Sequence, residues 1–233
     1  MGDSGAKQPS CVSELSFGAA LRPSRKPIYG DFVTLQPIKP EHAGDLFDVV
    51  GGSNLEHVAL WDFMPVGPFI SRQEFDGYIE QCAESLDPVF FAVLDKVSGK
   101  AIGNISLMRI DAPNRVIEVG HVMFSKILQR TRGATECFYL LARLVFEELG
   151  YRRYEWKCNN LNEPSKRAAQ RLGFTFEGLF RQHMIVKGKN RDTAWFSVLD
   201  SEWPVMKRAF EAWLDHNNFD EQGNQRHALA DLR

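Results

Sequence analysis

The sequence has little cysteine and no recognisable metal-binding pattern. Its four cysteines, Cys11, Cys82, Cys137 and Cys158, are widely separated in a chain of 233 residues. The absence of a C-x-x-C pair argues against a zinc knuckle or a redox dithiol, and the six scattered histidines form no i, i+4 pair. We therefore expect no metal, and we expect the last three cysteines to be buried and unreactive, as small hydrophobes.

Long hydrophobic runs and an excess of charge of one sign are also lacking. No apolar stretch approaches the roughly 20 residues that a membrane helix needs, and the N-terminus lacks the pattern of a secretion signal. The chain has 28 Lys+Arg against 30 Asp+Glu, a net charge of -2, which argues against wholesale binding to nucleic acid. We expect a cytoplasmic monomer or homodimer that binds neither nucleic acid nor membranes.

The composition is that of a globular protein, with 44% hydrophobic and 25% charged residues. Residues 1–27 are rich in Ser, Gly, Pro and Lys/Arg without periodicity, which predicts a flexible extension. Residues 28–216 are enough for one domain. The polar residues 217–233 predict a frayed tail.

Hydrophobic periodicity predicts the order of the helices and strands. A strand at 32–38 and helices at 40–50 and 71–86 come first, followed by strands at 89–94, 101–108 and 116–124. Short turns make these three strands an antiparallel meander. A helix over 133–149 then leads to a strand at 152–158, a connection long enough for a parallel crossover. A short helix from Asn162, a hairpin of 174–186 and 193–199, and a helix at 203–214 complete an α+β, or mixed α/β, domain with one central mixed sheet.

The loop Trp61–Phe69 is unusually apolar for a segment rich in Pro and Gly. One interpretation is a loop folded onto the core, and the other is a wall of a substrate pocket, because loops often carry binding groups. Trp61, Phe63 and Met64 are the candidates for that wall.

The segment before the helix at 133–149 predicts a phosphate site. Arg130, Arg132 and Gly133 lie where a helix N-terminus presents unpaired N–H groups and partial positive charge. Arginines on the same loop would add charge-assisted hydrogen bonds. The alternative is a solvated basic turn.

The run Gln129-Arg130-Thr131-Arg132-Gly133-Ala134 resembles the acyl-CoA-binding motif Q/R-x-x-G-x-G/A of the GNAT superfamily of N-acetyltransferases. A register that starts at Gln129 keeps Ala134 but has Arg132 in place of the middle glycine. A register that starts at Arg130 keeps Gly133 but ends on Thr135. Downstream, three segments are similar to the branch that contains ribosomal-protein N-terminal acetyltransferases and acetyltransferases of small amines: Asn159–Ser165, Ala168–Ala169 and Arg171–Phe174. The resemblance extends from Phe32 to Trp213.

The resemblance implies a GNAT-like fold, in which helices flank a mostly antiparallel sheet. It implies acetyl-CoA as the co-substrate, no metal, and direct attack of a substrate amine on the thioester. The family's motifs assign cofactor contacts to Leu128, Gln129, Arg130, Thr131, Arg132, Gly133, Ala134, Thr135, Asn159, Asn162 and Lys166.

Two candidate catalytic residues follow from the same resemblance. Glu118 lies on the strand before the phosphate loop, where relatives often carry a catalytic glutamate; the alternative is a solvent-facing residue. Ser165 matches a serine that would protonate the departing thiolate; the alternative is a contact at a helix start. His121 is a weaker candidate for the substrate pocket, and strand alternation predicts that it points to the face opposite Glu118.

Three functions remain open. The leading one is acetyl transfer to a primary amine of a small molecule, and the second is the same chemistry on the N-terminus of a protein or peptide. The third is a non-catalytic module that binds acyl-CoA.

Overall fold

The computed structural model describes residues 18–233. Residues 1–17, which hold Cys11 and much of the predicted extension, lie outside the described residues. Within 18–233, eight strands form one sheet in the order β1-β2-β3-β4-β5-β6-β8-β7. The strands are β1 (Ile28–Tyr29), β2 (Val33–Pro37), β3 (Val89–Asp95), β4 (Ala101–Asp111), β5 (Val116–Phe124), β6 (Arg153–Asn159), β7 (Thr175–Val186) and β8 (Lys189–Leu199).

The helices largely follow the predicted periodicity. They are α1 (Ala43–Val50), α2 (Leu55–Ala59), α3 (Arg72–Glu84), α4 (Arg132–Arg143), α5 (Glu163–Arg171) and α6 (Trp203–Leu214). α4 continues as a π-helical turn at Leu144–Glu148, so the long helix predicted there is two pieces. α2 was not predicted, because five residues are too few to show a period.

The meander and the parallel crossover are both confirmed. β2, β3, β4 and β5 pair antiparallel in sequence order, and β5 pairs parallel with β6 after the α4 connection. Among the described strands this is the only parallel pair, so the sheet is mixed and mostly antiparallel, as expected. The parallel pairing covers only Val116–Val119 against Arg153–Trp156, and the two strands separate beyond it.

Two helix layers bury the two faces of the sheet. Phe91, Ile117 and Val119 pack with α4 and α6 on one face. On the other face, Phe90 and Met123 pack with α1 and α3. Cys82, Cys137 and Cys158 are buried. No helix of residues 18–233 combines the length and apolar character needed to cross a bilayer.

The structure differs from expectation at both ends of the domain. Ala20 and Leu21 donate backbone hydrogen bonds to Ala112 O (3.0 Å) and Leu149 O (2.9 Å), so this part of the predicted extension is attached to the domain. The tail after Asn217 folds back instead of fraying, and Leu229 is 1% exposed. A few apolar residues within a polar segment are enough to anchor it, which composition alone does not reveal.

Candidate active site

A cleft of about 1070 Å³ opens where β5 and β6 separate. Its lining includes Leu60 and Met123, which pack with the α1–α3 layer, and Ser165 and Arg171 of α5, on the opposite face. The cleft therefore passes through the gap between the two strands and joins the two faces of the sheet.

The cleft is strongly basic. Five cations line it, and no described carboxylate does; the cations are Lys126, Arg130, Arg132, Arg167 and Arg171. Because unbalanced positive charge in a cleft concentrates anions, the arrangement suits an elongated ligand with several negative charges.

The N-terminus of α4 forms one wall of this cleft. Thr131 caps the helix, and its Oγ1 accepts a hydrogen bond from Ala134 N (3.1 Å). Gln129 is held by a hydrogen bond from its Nε2 to Phe124 O (2.8 Å). Gly133 faces inward, where a Cβ would lie 2.9 Å from Val33 Cγ1. This glycine allows the helix to approach the sheet.

Seven of the eleven predicted cofactor residues line the cleft: Gln129, Arg130, Thr131, Arg132, Ala134, Thr135 and Asn162. Leu128 is 1% exposed and belongs to the core, and Gly133, Asn159 and Lys166 are outside the lining. All three defining positions of the register that starts at Gln129 are in the cleft, whereas Gly133 of the other register is not.

Arg132 has neighbours that the sequence did not reveal. Its guanidinium carbon lies 4.6 Å from the ring centroid of Phe32 and 4.6 Å from that of Phe219. Phe219 and residues 223–225 of the C-terminal segment also line the cleft. The tail is therefore part of the wall, and cation–π contacts join it to the helix N-terminus.

Ser165 lies in the first turn of α5 and contacts both the cap of that helix and a core tryptophan. Its backbone N–H donates to Asn162 Oδ1 (3.1 Å), so Asn162 is the helix cap. Its Oγ accepts a hydrogen bond from Trp156 Nε1 (3.0 Å), which leaves the hydroxyl proton available to another acceptor. Burial raises the pKa of the Cys158 thiol, and a hydrogen bond to Ser165 acts in the opposite direction.

Glu118 is buried rather than solvent-facing, with 5% of its surface exposed. Its Oε2 lies 2.9 Å from Lys157 Nζ and 3.2 Å from Arg109 Nε. Burial raises the pKa of Glu118, while the two cations act in the opposite direction. A buried carboxylate with a raised pKa beside the end of the β5–β6 pairing is a candidate functional residue.

Further charged residues continue along the same face of β6. Lys157 Nζ also lies 2.6 Å from Glu155 Oε2 and 3.8 Å from the ring centroid of Trp195. Arg153 joins Glu155 (2.7 Å) to Glu177. The charge of Arg191 also acts on Glu118 and Arg109. We call the surface formed by Arg109, Glu118, Glu155, Lys157 and Arg191 the charged face.

His121 lies on the charged-face side of the sheet, so the expectation that it points away from Glu118 is wrong. The register places Gly120 opposite Ser106 but Met123 opposite Asn104, which leaves one extra residue on β5. His121 occupies this bulge with φ 46°, and its ring lies 5.1 Å from that of Phe90. A bulge breaks the alternation on which the prediction depended.

The apolar loop packs mainly on the core. Trp61 is 1% exposed and Met64 8%, and the indole N–H of Trp61 donates to Val50 O (2.8 Å). Phe63 is 37% exposed. None of these three lines the large cleft, but the preceding Leu60 does.

The charged face left one signal in the sequence. The run Arg153-Tyr154-Glu155-Trp156-Lys157-Cys158 alternates charged and apolar residues on a strand with neighbours on both sides. A central strand whose second face is charged indicates a functional surface, because buried charges need partners. Arg109 and Arg191 left no comparable signal.

The chain matches the family described as "Acetyltransferase (GNAT) domain" over residues 33–175. It is 31% identical over 182 residues to YdaF of Bacillus subtilis (strain 168), whose name assigns it provisionally to the ribosomal N-acetyltransferases. That match covers 74% of this chain and 94% of YdaF.

Two solved structures are similar over most of the chain. A GCN5-related N-acetyltransferase from Brucella melitensis has a TM-score of 0.90 and 46% identity, covering 93% of this chain and 98% of that one. A GNAT-family acetyltransferase structure from Chromobacterium violaceum ATCC 12472 has a TM-score of 0.77 and 38% identity, covering 84% of this chain and 98% of the other.

Proposed function

The chain belongs to the GNAT family of acetyltransferases, and from this premise we propose that it acetylates the primary amine of a small molecule by direct attack. Membership of this family makes the protein an acetyl-CoA-dependent N-acetyltransferase. The observation that carries the proposal is the basic cleft beside α4 and α5, which opens where the pairing of β5 and β6 ends, next to Glu118.

The residues present fit acetyl-CoA. Its diphosphate and ribose phosphate need cations, and five line the cleft without a described carboxylate. Arg130, Arg132 and the N-terminus of α4 would hold the phosphates, because N–H groups at a helix start favour anions. Asn162 and Thr135 would contact the remainder of the molecule. Acetyl-CoA supplies the acetyl thioester.

Glu118 and Ser165 would act from opposite faces of the sheet. Glu118 lies on the charged face, whereas Trp156, which donates to Ser165, packs in the core beneath α4. Val119 and Trp156 are the last paired residues of β5 and β6, so both groups lie where the strands separate. The acceptor amine would therefore approach the acetyl carbon from the face that carries Glu118, and the sulfur of acetyl-CoA would lie on the face that carries Ser165.

In the transfer, the amine nitrogen bonds to the acetyl carbon and the carbon–sulfur bond breaks. Glu118 takes the proton that the amine loses, and Ser165 supplies a proton to the departing thiolate. Freeing an aliphatic amine of pKa ~10.4 at pH 7 costs about 4.6 kcal/mol, against about 1.4 kcal/mol for a protein N-terminus. A base is therefore most valuable for an aliphatic acceptor.

Acetylation of a protein N-terminus is the second candidate. The name of YdaF, which is 31% identical, favours it. The chemistry is unchanged, and only the size of the acceptor differs.

The test measures thiol release from acetyl-CoA with a panel of primary amines and with peptides whose N-termini are free or blocked. We expect release with small amines. Release with free peptides alone would favour the second candidate. Tight acetyl-CoA binding without release for any acceptor would identify a binding module and contradict both.

A further inference from the structure

The charged face has one cation more than its carboxylates can neutralise. Lys157 is shared by Glu118 and Glu155, Arg153 bridges Glu155 and Glu177, and Arg109 pairs with Glu118. Arg191 Nε donates to Thr193 Oγ1 (3.1 Å), and no described carboxylate forms an ion pair with it. A half-buried guanidinium without a carboxylate is costly unless an anion joins it.

Three strand irregularities direct basic side chains to this region. Arg109 and His121 lie in bulges with φ of 49° and 46°, and His183 follows Gln182, whose φ is 49°. Residues other than glycine rarely adopt such φ values, and backbone strain of this kind is concentrated at functional sites. Arg109 reaches Glu118, and His183 Nδ1 lies 3.0 Å from Thr193 Oγ1, beside Arg191.

Two polar atoms in the same region have no protein partner. His121 Nδ1 and Trp195 Nε1 are buried and without a hydrogen bond among the described residues. Burial and the charge of Arg109 lower the pKa of His121, and His183 shifts the same way. The histidines therefore act as neutral hydrogen-bonding groups, and the positive charge comes from the arginines.

We propose that the charged face binds an anionic group of the acceptor, so that the preferred substrate is an amine that also bears a carboxylate or a phosphate. Arg191 and the exposed edge of Arg109 hold this group. Glu118, on the same face, faces the amine. The inference rests on the proposed acetyltransferase function and narrows its substrate class.

The first test compares acceptors that carry an anionic group with matched acceptors that lack it. The pairs are β-alanine with β-alaninamide, and phosphoethanolamine with ethanolamine; a third pair consists of peptides with Asp or Asn at the second position. We expect kcat/KM to be roughly 10- to 100-fold higher for the anionic member of at least one pair, the usual range for a charge-assisted hydrogen bond. A preference within the small pairs would assign the anionic group to a small-molecule acceptor, whereas a preference within the peptide pair alone would assign it to an acidic side chain of a peptide.

Arg191→Gln should reduce this preference to within about 3-fold, while KM for acetyl-CoA stays unchanged. Arg181→Gln is the matched control, because Arg181 is exposed on the same hairpin and has no contact with the charged face. Arg191→Lys, which keeps the charge, should retain most of the preference. Thermal unfolding of each variant shows whether it is folded.

Equal rates on anionic and neutral acceptors in the wild-type protein would overturn the proposal without any variant. A preference that survives in Arg191→Gln would also overturn it, since the anion would then bind elsewhere. Both outcomes leave acetyl transfer intact, whereas absence of transfer to every acceptor rejects the proposed function itself.

Discussion

The basic cleft and the charged face are both rich in cations, but they handle charge in opposite ways. In the cleft the cations come mainly from a loop and two helices, and no described carboxylate balances them. On the charged face they come from separate strands and are mostly paired with buried carboxylates. An unbalanced cleft suits binding of a polyanion, whereas a mostly paired network with one cation left over suits control of protonation and the binding of a single anionic group.

Among these substitutions, Glu118→Gln should cause the largest loss of turnover. It should change the chemistry at the charged face without changing binding in the cleft. The substitution keeps the size of the side chain but removes its basicity. Turnover of an aliphatic amine at pH 7 should fall by roughly 10²–10⁴, the usual range for loss of a general base. Steady-state kinetics with saturating acetyl-CoA measure the fall, and calorimetry should show unchanged acetyl-CoA affinity.

The pH profile sharpens this prediction. In the wild-type protein, turnover should rise with pH through the raised pKa of Glu118, because only the carboxylate accepts a proton. In Glu118→Gln this limb should disappear, and raising the pH should recover part of the rate as more amine becomes neutral. Wild-type rates in the variant at pH 7 would make Glu118 a structural member of the ion-pair network.

Replacing Arg130 and Arg132 together by Ala should act on the cleft alone. Loss of two charge-assisted contacts should weaken acetyl-CoA binding by about 2–4 kcal/mol. Titration calorimetry measures this, with the exposed Arg208→Ala as control. Undiminished affinity would remove the loop from the site.

Arg132→Ala alone separates two roles in the cleft. Arg132 lies between the rings of Phe32 and Phe219, so this variant should also loosen the C-terminal segment. Faster hydrogen exchange in residues 219–225 would report that loss, whereas Arg130→Ala should leave their exchange unchanged.

Ser165→Ala tests the junction between the two regions and should have a moderate effect. A thiolate of pKa near 8.5 leaves readily, so turnover should fall by roughly 10-fold, less than for loss of the base. Acetyl-CoA affinity should be preserved, and Ser165→Thr should restore most of the rate. If the only change is about 1 kcal/mol of stability, Ser165 serves the helix start.

Substitution of Glu177, which Arg153 joins to Glu155 of the charged face, should give the smallest effect. Its hydrogen bonds with Arg153 lower its pKa to about 2. A lowered folded-state pKa adds stability above the unfolded value near 4.5, and this stability is lost as the pH falls toward 2. In Glu177→Gln, the free energy of unfolding should fall less on acidification than in the wild type. The difference should be about 1 kcal/mol or less, because the Arg153–Glu177 pair is partly exposed and screened by solvent.

Urea unfolding at pH 6 and pH 3 measures this difference. Glu163→Gln, which removes an exposed partner of Lys166, is the control and should change the pH dependence less. An acid limb identical to that of the wild type would show that the Arg153–Glu177 pair contributes nothing to stability.

The cleft was more predictable than the charged face for a physical reason. The loop before α4 is one continuous segment of sequence, and so is the start of α5, so the charges and helix starts of each can be read locally. The short helix predicted from Asn162, for example, is capped by that residue. The charged face depends on contacts between strands that are distant in the chain. Glu118 was identified by family resemblance, but its partners Arg109 and Lys157 were not.

Two further predictions from the sequence were wrong for specific reasons. His121 was assigned to the wrong face because one extra residue reverses strand alternation, and the bulge leaves no compositional mark. Phe219 was placed in a frayed tail because a single aromatic side chain in a polar segment gives no period. Both depend on tertiary contacts.

The bulge at His121 has a consequence for how such a site can evolve. Gly120 already pairs with Ser106 and Met123 with Asn104, on either side of the extra length. Deleting one codon here would leave both pairings in register, whereas a deletion elsewhere in β5 would turn every later side chain to the opposite face. The side chain that lies on the same face as Glu118 can therefore change through the length of one strand, while the pairing of β5 with β4 is inherited unaltered.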